Sequence, residues 1–69
     1  MNNLKSKELR TERILDLLLA EPEIRVTDIS KRLNISEVTI RKDLNYLAAA
    51  GKVIRIHGGA KLVRNTGQD

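Results

Sequence analysis

Apolar residues recur at helical spacing in two long stretches and at alternating spacing in a third. In the first stretch Ile14, Leu17 and Leu18 form a core stripe on a helix over about Ser6 to Ala20. Lys5–Leu9 and Glu8–Glu12 fall on wetter faces, and Leu15 and Leu19 make a second apolar row off the main stripe. Pro22 ends this helix, because a proline pushes the residue before it out of the helical region. Glu23 to Val26 reads as a connection with room for one short strand at Arg25–Val26. Thr27 is placed to cap a short second helix over Asp28 to Leu33, with Ile29 and Leu33 one turn apart on its inner face.

Asn34–Ile35 makes a tight turn, since Asn tolerates the left-handed backbone such turns often need, and Ile35 plugs the space between helices. Ser36 then caps a third helix that runs to Ala49 or Ala50, with Glu37 well placed in its first turn and Gly51 just past its end. On a wheel of about 100° per residue, Ile40, Leu44 and Leu47 share one face. Val38, Arg41, Lys42, Asn45 and Ala49 lie opposite, flanked by Thr39 and Tyr46. Asp43 sits at the core edge and reads as structural, paired with Arg10 or Arg55.

After Gly51 the period changes. Val53 to His57 is β-branched and partly alternating, Gly58-Gly59 is a two-residue hairpin turn with positive φ at both positions, and Ala60 to Val63 returns as the partner strand. The layout is helix, helix, helix, hairpin. Met1 to Ser6 reads as a flexible start, 7–62 as one folded domain, and 63–69 as a tail or the beginning of a linker.

Length and composition narrow what such a layout can do. The chain has 69 residues, one domain at most, too few for a deep catalytic cleft, a Rossmann unit or a barrel. It has no cysteine and one histidine, which removes disulfides, Cys-containing zinc sites and His-rich metal sites. No catalytic constellation, metal site or cofactor is expected. No stretch approaches the roughly 18 consecutive apolar residues that cross a membrane, and no membrane partner is expected. Tyr46 is the only aromatic residue, so recognition by stacking bases on aromatic platforms is unlikely on composition alone. The net charge is +4 but unevenly spread. Residues 1–30 carry five basic and six acidic side chains, net −1, and residues 31–69 carry eight basic and three acidic, net +5. A basic half points to a polyanion.

Two closely spaced helices with a basic outer face on the second form a helix-turn-helix over about residues 24–45, a unit suited to duplex DNA. An α-helix fits the major groove, where each base pair shows a distinct donor and acceptor pattern. Arg41 is placed to donate two hydrogen bonds to guanine O6 and N7, and Asn45 to pair with adenine N6 and N7. The Val38 side chain or the Thr39 methyl is placed to meet a thymine methyl. Thr27, Ser36 and Thr39, at helix N-termini, are phosphate candidates, and Lys42 acts as a point charge on phosphate. Arg55 and His57 on the hairpin reach toward the flanking backbone or minor groove, with a structural hydrogen bond in the hairpin the alternative for His57.

The run Ser36-Glu37-Val38-Thr39-Ile40-Arg41-Lys42-Asp43-Leu44, followed by Leu47, Gly51 and Arg55-Ile56-His57-Gly58-Gly59-Ala60, resembles the DeoR family of bacterial transcriptional regulators. Arg10, Ile14 and Leu18 precede it at the family's separation, and the resemblance covers about Lys7 to Leu62. It implies a mainly α, α+β fold: a winged helix-turn-helix of three helices followed by a β-hairpin wing. It also implies binding of double-stranded operator DNA, usually to repress genes of sugar or nucleoside metabolism, in the bacterial cytoplasm and at the nucleoid when bound. Family members carry a C-terminal domain that senses a sugar phosphate or related effector and drives homo-oligomerisation. The chain is therefore expected to be the operator-reading part of a longer regulator, monomeric by itself. The competing expectation is a winged helix that docks proteins through Leu15, Leu19 and Ile54 or Ile56.

Overall fold

The computed structural model describes residues 6–63. Helix α1 spans Lys7–Ala20, strand β1 Glu23–Arg25, helix α2 Val26–Leu33, helix α3 Glu37–Ala49, strand β2 Val53–Ile56 and strand β3 Gly59–Leu62. The three strands form one antiparallel sheet in the order β1-β3-β2, so the wing is a hairpin with a third strand added along β3.

Capping chemistry sets most boundaries. Ser6 accepts from the Leu9 N–H and is the N-cap of α1, which begins one residue later than the apolar spacing suggests. Ser36 does the same for α3 through the Thr39 N–H. Asn34 closes α2 in the left-handed region at φ 58°. The turn it makes is held by the Ser30 hydroxyl, which donates to the Ile35 carbonyl, and by the Ile35 N–H, which donates to the Ser30 carbonyl. At the end of α3 the Gly51 N–H bonds the Ala48 carbonyl and the Lys52 N–H bonds the Leu47 carbonyl. That pair of bonds is a Schellman motif, and it needs the φ of 78° that Gly51 supplies.

Helix α2 departs from expectation. It starts at Val26, its cap is Arg25 with no side-chain bond, and Thr27 lies exposed in its first turn. The reason is tertiary. The strand is Glu23–Arg25, and the Val26 N–H donates to the Gly58 carbonyl at 2.8 Å, so sheet pairing rather than a threonine hydroxyl fixes where the helix begins.

The hairpin turn also lies one residue earlier than Gly58-Gly59. Ile56 pairs with Gly59, which leaves His57 and Gly58 as the loop, and only Gly58 has positive φ. Gly59 is instead a packing glycine in β3. A Cβ built there would sit 2.4 Å from the Ile24 carbonyl oxygen, so the absence of a side chain is what lets β1 close onto the sheet. Val63, expected at the start of a tail, still donates its N–H to the Lys52 carbonyl. The remaining expectations for Met1–Lys5 and Arg64–Asp69 lie outside the described residues.

The core is one cluster: Ile14, Leu18, Ile24, Val26, Ile29, Ile40, Leu44, Leu47, Val53 and Ala60. Leu17, expected in the core stripe, is only partly buried and packs against that cluster, as do Leu15, Leu33 and Ile35. Helix, helix, helix and sheet thus share one interior, with α3 held by its Ile40–Leu44–Leu47 face.

Candidate nucleic-acid interface

The face of α3 opposite the core carries Val38, Arg41, Lys42 and Asn45, all exposed. These positions recur at three and four residues, which on a helix makes a single continuous stripe. Val38 is an exposed branched apolar residue in the first turn, where an unpartnered apolar side chain is conspicuous beside two cations.

The cations are lightly held. The Arg41 Nη2 donates to Glu37 Oε1 at 3.1 Å, one turn back along the helix. Both side chains are well exposed, and such surface pairs are worth only a few tenths of a kcal/mol, about 0.3–0.5. Arg41 can therefore exchange Glu37 for another acceptor at little cost. Lys42 is fully on the solvent side.

Behind this stripe sits a rigid mount. Arg10 on α1 meets Asp43 on α3 with Nε to Oδ2 at 2.6 Å and Nη2 to Oδ1 at 3.0 Å, a two-pronged pair. The Asp43 side chain is 3% exposed and that of Arg10 15%. The hydrogen bonds to Asp43 hold the Arg10 guanidinium above its ordinary pKa, burial opposes them, and charge attraction to Asp43 adds to them. Of the two partners foreseen for Asp43, the structure selects Arg10.

Arg55 goes elsewhere. It donates from Nε to the Gly59 carbonyl at 3.1 Å and from Nη1 to Oδ1 of Asn45. The wing and α3 are thereby joined at the two residues that the sequence assigned to separate contacts. Asn45 consequently does not offer its oxygen freely to an adenine.

The helix ends hold the remaining candidates. The Ser36 hydroxyl accepts from the Thr39 N–H and donates to Thr39 Oγ1 at 3.1 Å. Thr39 itself is half-buried. Thr27, exposed at the first turn of α2, and His57, exposed at the tip of the wing, lie on different elements from the α3 stripe. His57, Arg25, Asp28 and Glu23 border a polar depression between β1, the start of α2 and the wing.

One feature escaped the sequence pattern. Tyr46 is half exposed on α3, with the Lys7 ammonium 4.0 Å from its ring centroid. Such a contact between a helix start and a position 39 residues later has no local signal. Leu15 and Leu19, the residues of the competing protein-docking reading, border a shallow apolar groove of about 330 Å³ with Gly51, Lys52, Leu62 and Val63. Ile54, half exposed on β2, is not part of it. Among the described residues no group of three or more His, Cys, Asp or Glu is placed to hold a metal ion, and no helix is long and apolar enough to cross a membrane.

This arrangement, a basic exposed face on the second helix of a helix-turn-helix with a wing beside it, is accompanied by similarity at the level of sequence. Residues 10–66 match the DeoR-like helix-turn-helix domain. The chain belongs to that family. It is a DeoR-type DNA-binding domain, with the winged helix-turn-helix architecture. The chain is 41% identical over 63 residues to the L-fucose operon activator of Escherichia coli K12, covering 91% of this chain and 26% of that protein. It is 46% identical over 55 residues to the lactose phosphotransferase system repressor of Streptococcus mutans, covering 80% and 22%. It is 39% identical over 59 residues to the HTH-type transcriptional repressor CutR of Bacillus subtilis, covering 86% and 31%. The chain thus spans about a quarter of the length of the curated DeoR-type relatives it matches. No solved structure matches it significantly.

Proposed function

We propose that this domain reads a specific operator in double-stranded DNA for a bacterial transcription regulator, in the sense of a repressor of carbohydrate-metabolism genes. The observation that carries the reading is the exposed α3 stripe of Val38, Arg41, Lys42 and Asn45 on a helix whose other face is locked into the core. The helix has the diameter of a major groove, about 10–12 Å against about 12 Å. Arg41 reads guanine O6 and N7, Val38 or the Thr39 methyl meets a thymine methyl, and Asn45 contributes to base reading beside them. Lys42, the Thr39 hydroxyl, Ser36 and Thr27 hold phosphates, with the helix N-termini adding their free N–H groups. His57 and Arg55 place the wing against the flanking backbone.

The fucose and lactose names among the relatives support the choice of target genes. Two of the three relatives named above are repressors and one is an activator, which favours repression as the sign. We further take the regulator to be a homo-oligomer that acts in the cytoplasm, at the nucleoid when bound. The expected effector of such a regulator is of the sugar-phosphate type, and no residue of this chain is assigned to it. The isolated domain is a monomer that binds each half-site weakly, since such modules gain affinity by pairing across half-sites a helical turn, about 34 Å, or more apart.

The test is selection of bound sites from random duplexes by the 69-residue protein, followed by titration of the enriched duplex at several salt concentrations. An enriched motif of a few base pairs, bound with a log–log salt slope of about −0.9 per phosphate neutralised, supports the reading. Binding that shows no preferred sequence removes it.

A further inference from the structure

Arg55 and Asn45 stand ten residues apart on different elements, yet the Arg55 guanidinium bonds the Asn45 carboxamide oxygen and the Gly59 carbonyl together. A guanidinium carries only donors, so the carboxamide beside it must turn its oxygen inward and its NH2 away. Asn45 is exposed on the α3 stripe, and its outward offering is thereby weighted toward two N–H donors. The pair also places a fixed positive charge beside the amide. Both effects favour a base edge that presents acceptors.

In the major groove guanine shows two acceptors, N7 and O6, whereas adenine shows one acceptor and one donor. An asparagine whose oxygen is free pairs well with adenine. An asparagine whose oxygen already accepts from a guanidinium offers the adenine N6–H2 group only a second lone pair beside a positive charge, a poorer acceptor. We propose that Arg55 is a positioning residue for base reading: by holding the Asn45 oxygen it makes Asn45 chiefly a donor, a reader that selects guanine over adenine. The wing then contributes to sequence choice through α3, beyond any contact it makes with the DNA backbone. This inference rests on the operator-reading function proposed above.

The experiment is the same random-duplex selection run with the wild-type protein, Asn45→Ala and Arg55→Met, each first shown by thermal melting to be folded. Asn45→Ala identifies the base position it contacts by flattening the preference there. The wild type is expected to prefer guanine at that position. Arg55→Met, which keeps the unbranched stem but has no donors, is expected to shift the preference there toward adenine by about fivefold or more, the worth of one net hydrogen bond. Wild-type protein titrated with 7-deazaguanine at that position, which lacks the N7 acceptor, is expected to lose affinity, and this arm needs no variant. Three results overturn the proposal while leaving operator reading intact. They are a wild-type preference for adenine at the Asn45 position, an Arg55→Met profile that weakens on all sequences without changing shape, and indifference to 7-deazaguanine. Absence of any enriched motif with the wild type instead overturns operator reading, and this proposal falls with it.

Discussion

Arg10 and Asp43 join α1 to α3 through two hydrogen bonds, on the side of α3 that faces away from Arg41. The carboxylate is almost wholly buried, and the guanidinium closes over it from a more exposed position. The pair fixes the rotation of α3 about its own axis, and so fixes which residues face outward.

Breaking this pair from the arginine side is expected to be the more damaging change. Arg10→Met leaves a buried carboxylate without its cation, a loss of about 3–5 kcal/mol in urea unfolding. Asp43→Ala leaves a guanidinium that can still reach water, and its loss is expected to be smaller. Arg10→Met combined with Asp43→Leu is expected to recover part of the loss, because an apolar pair needs no compensation. A double variant less stable than Arg10→Met contradicts this account of the pair.

The pair is also expected to hold across the working pH range. The folded-state pKa of Arg10 is raised, so its contribution is fully present below the unfolded value and is lost only as pH rises through the folded one. Both lie far to the alkaline side of neutrality, so stability measured between about pH 6 and 9 is expected to show no titration from Arg10. A loss of stability in that window that Arg10→Met abolishes contradicts the assignment.

The two wing glycines are expected to respond differently to alanine. Gly58→Ala meets open space and carries only the left-handed backbone penalty, about 1–2 kcal/mol. Gly59→Ala drives a methyl into the Ile24 carbonyl and is expected to cost more and to detach β1 from β3. Thermal melting ranks them, and hydrogen exchange at Val26, whose N–H bonds Gly58, reports the detachment. Equal costs contradict the packing role given to Gly59.

Removing the N-cap of α3 tests a local contribution. Ser36→Ala is expected to lower stability by about 1 kcal/mol, read from the urea midpoint. Thr27→Ala, at a position the sequence suggested as a cap, is expected to be nearly neutral in stability because no cap bond is made there. The reverse ranking contradicts the observed caps.

The features legible in the sequence were those set by local chemistry. Ser36, Asn34 and Gly51 each act through their own backbone neighbourhood, and each does in the structure what its residue type suggests. The Ile40, Leu44 and Leu47 face followed from periodicity alone. The misplacements came from contacts distant in sequence. Thr27 lost the capping role because β1 pairs with β3, 34 to 38 residues onward. The hairpin turn moved to His57-Gly58 because Gly59 was needed inside the sheet against Ile24. The Asn45–Arg55 bond was invisible for the same reason, since nothing in either residue's surroundings announces the other.

The phosphate and base contacts proposed for α3 are expected to be separable by substitution. Lys42→Ala is expected to weaken binding to every duplex alike and to reduce the magnitude of the salt slope by about 1. A change in preferred sequence on losing Lys42 contradicts its assignment to phosphate.

The central claim is that the outward face of α3 lies in the major groove with Arg41 against a base. The most direct test is the affinity of wild type and Arg41→Ala for the selected duplex and for a scrambled duplex of the same composition, at one salt concentration. Arg41→Ala is expected to lose about 1–3 kcal/mol on the selected duplex and clearly less on the scrambled one. Equal losses on the two duplexes contradict it.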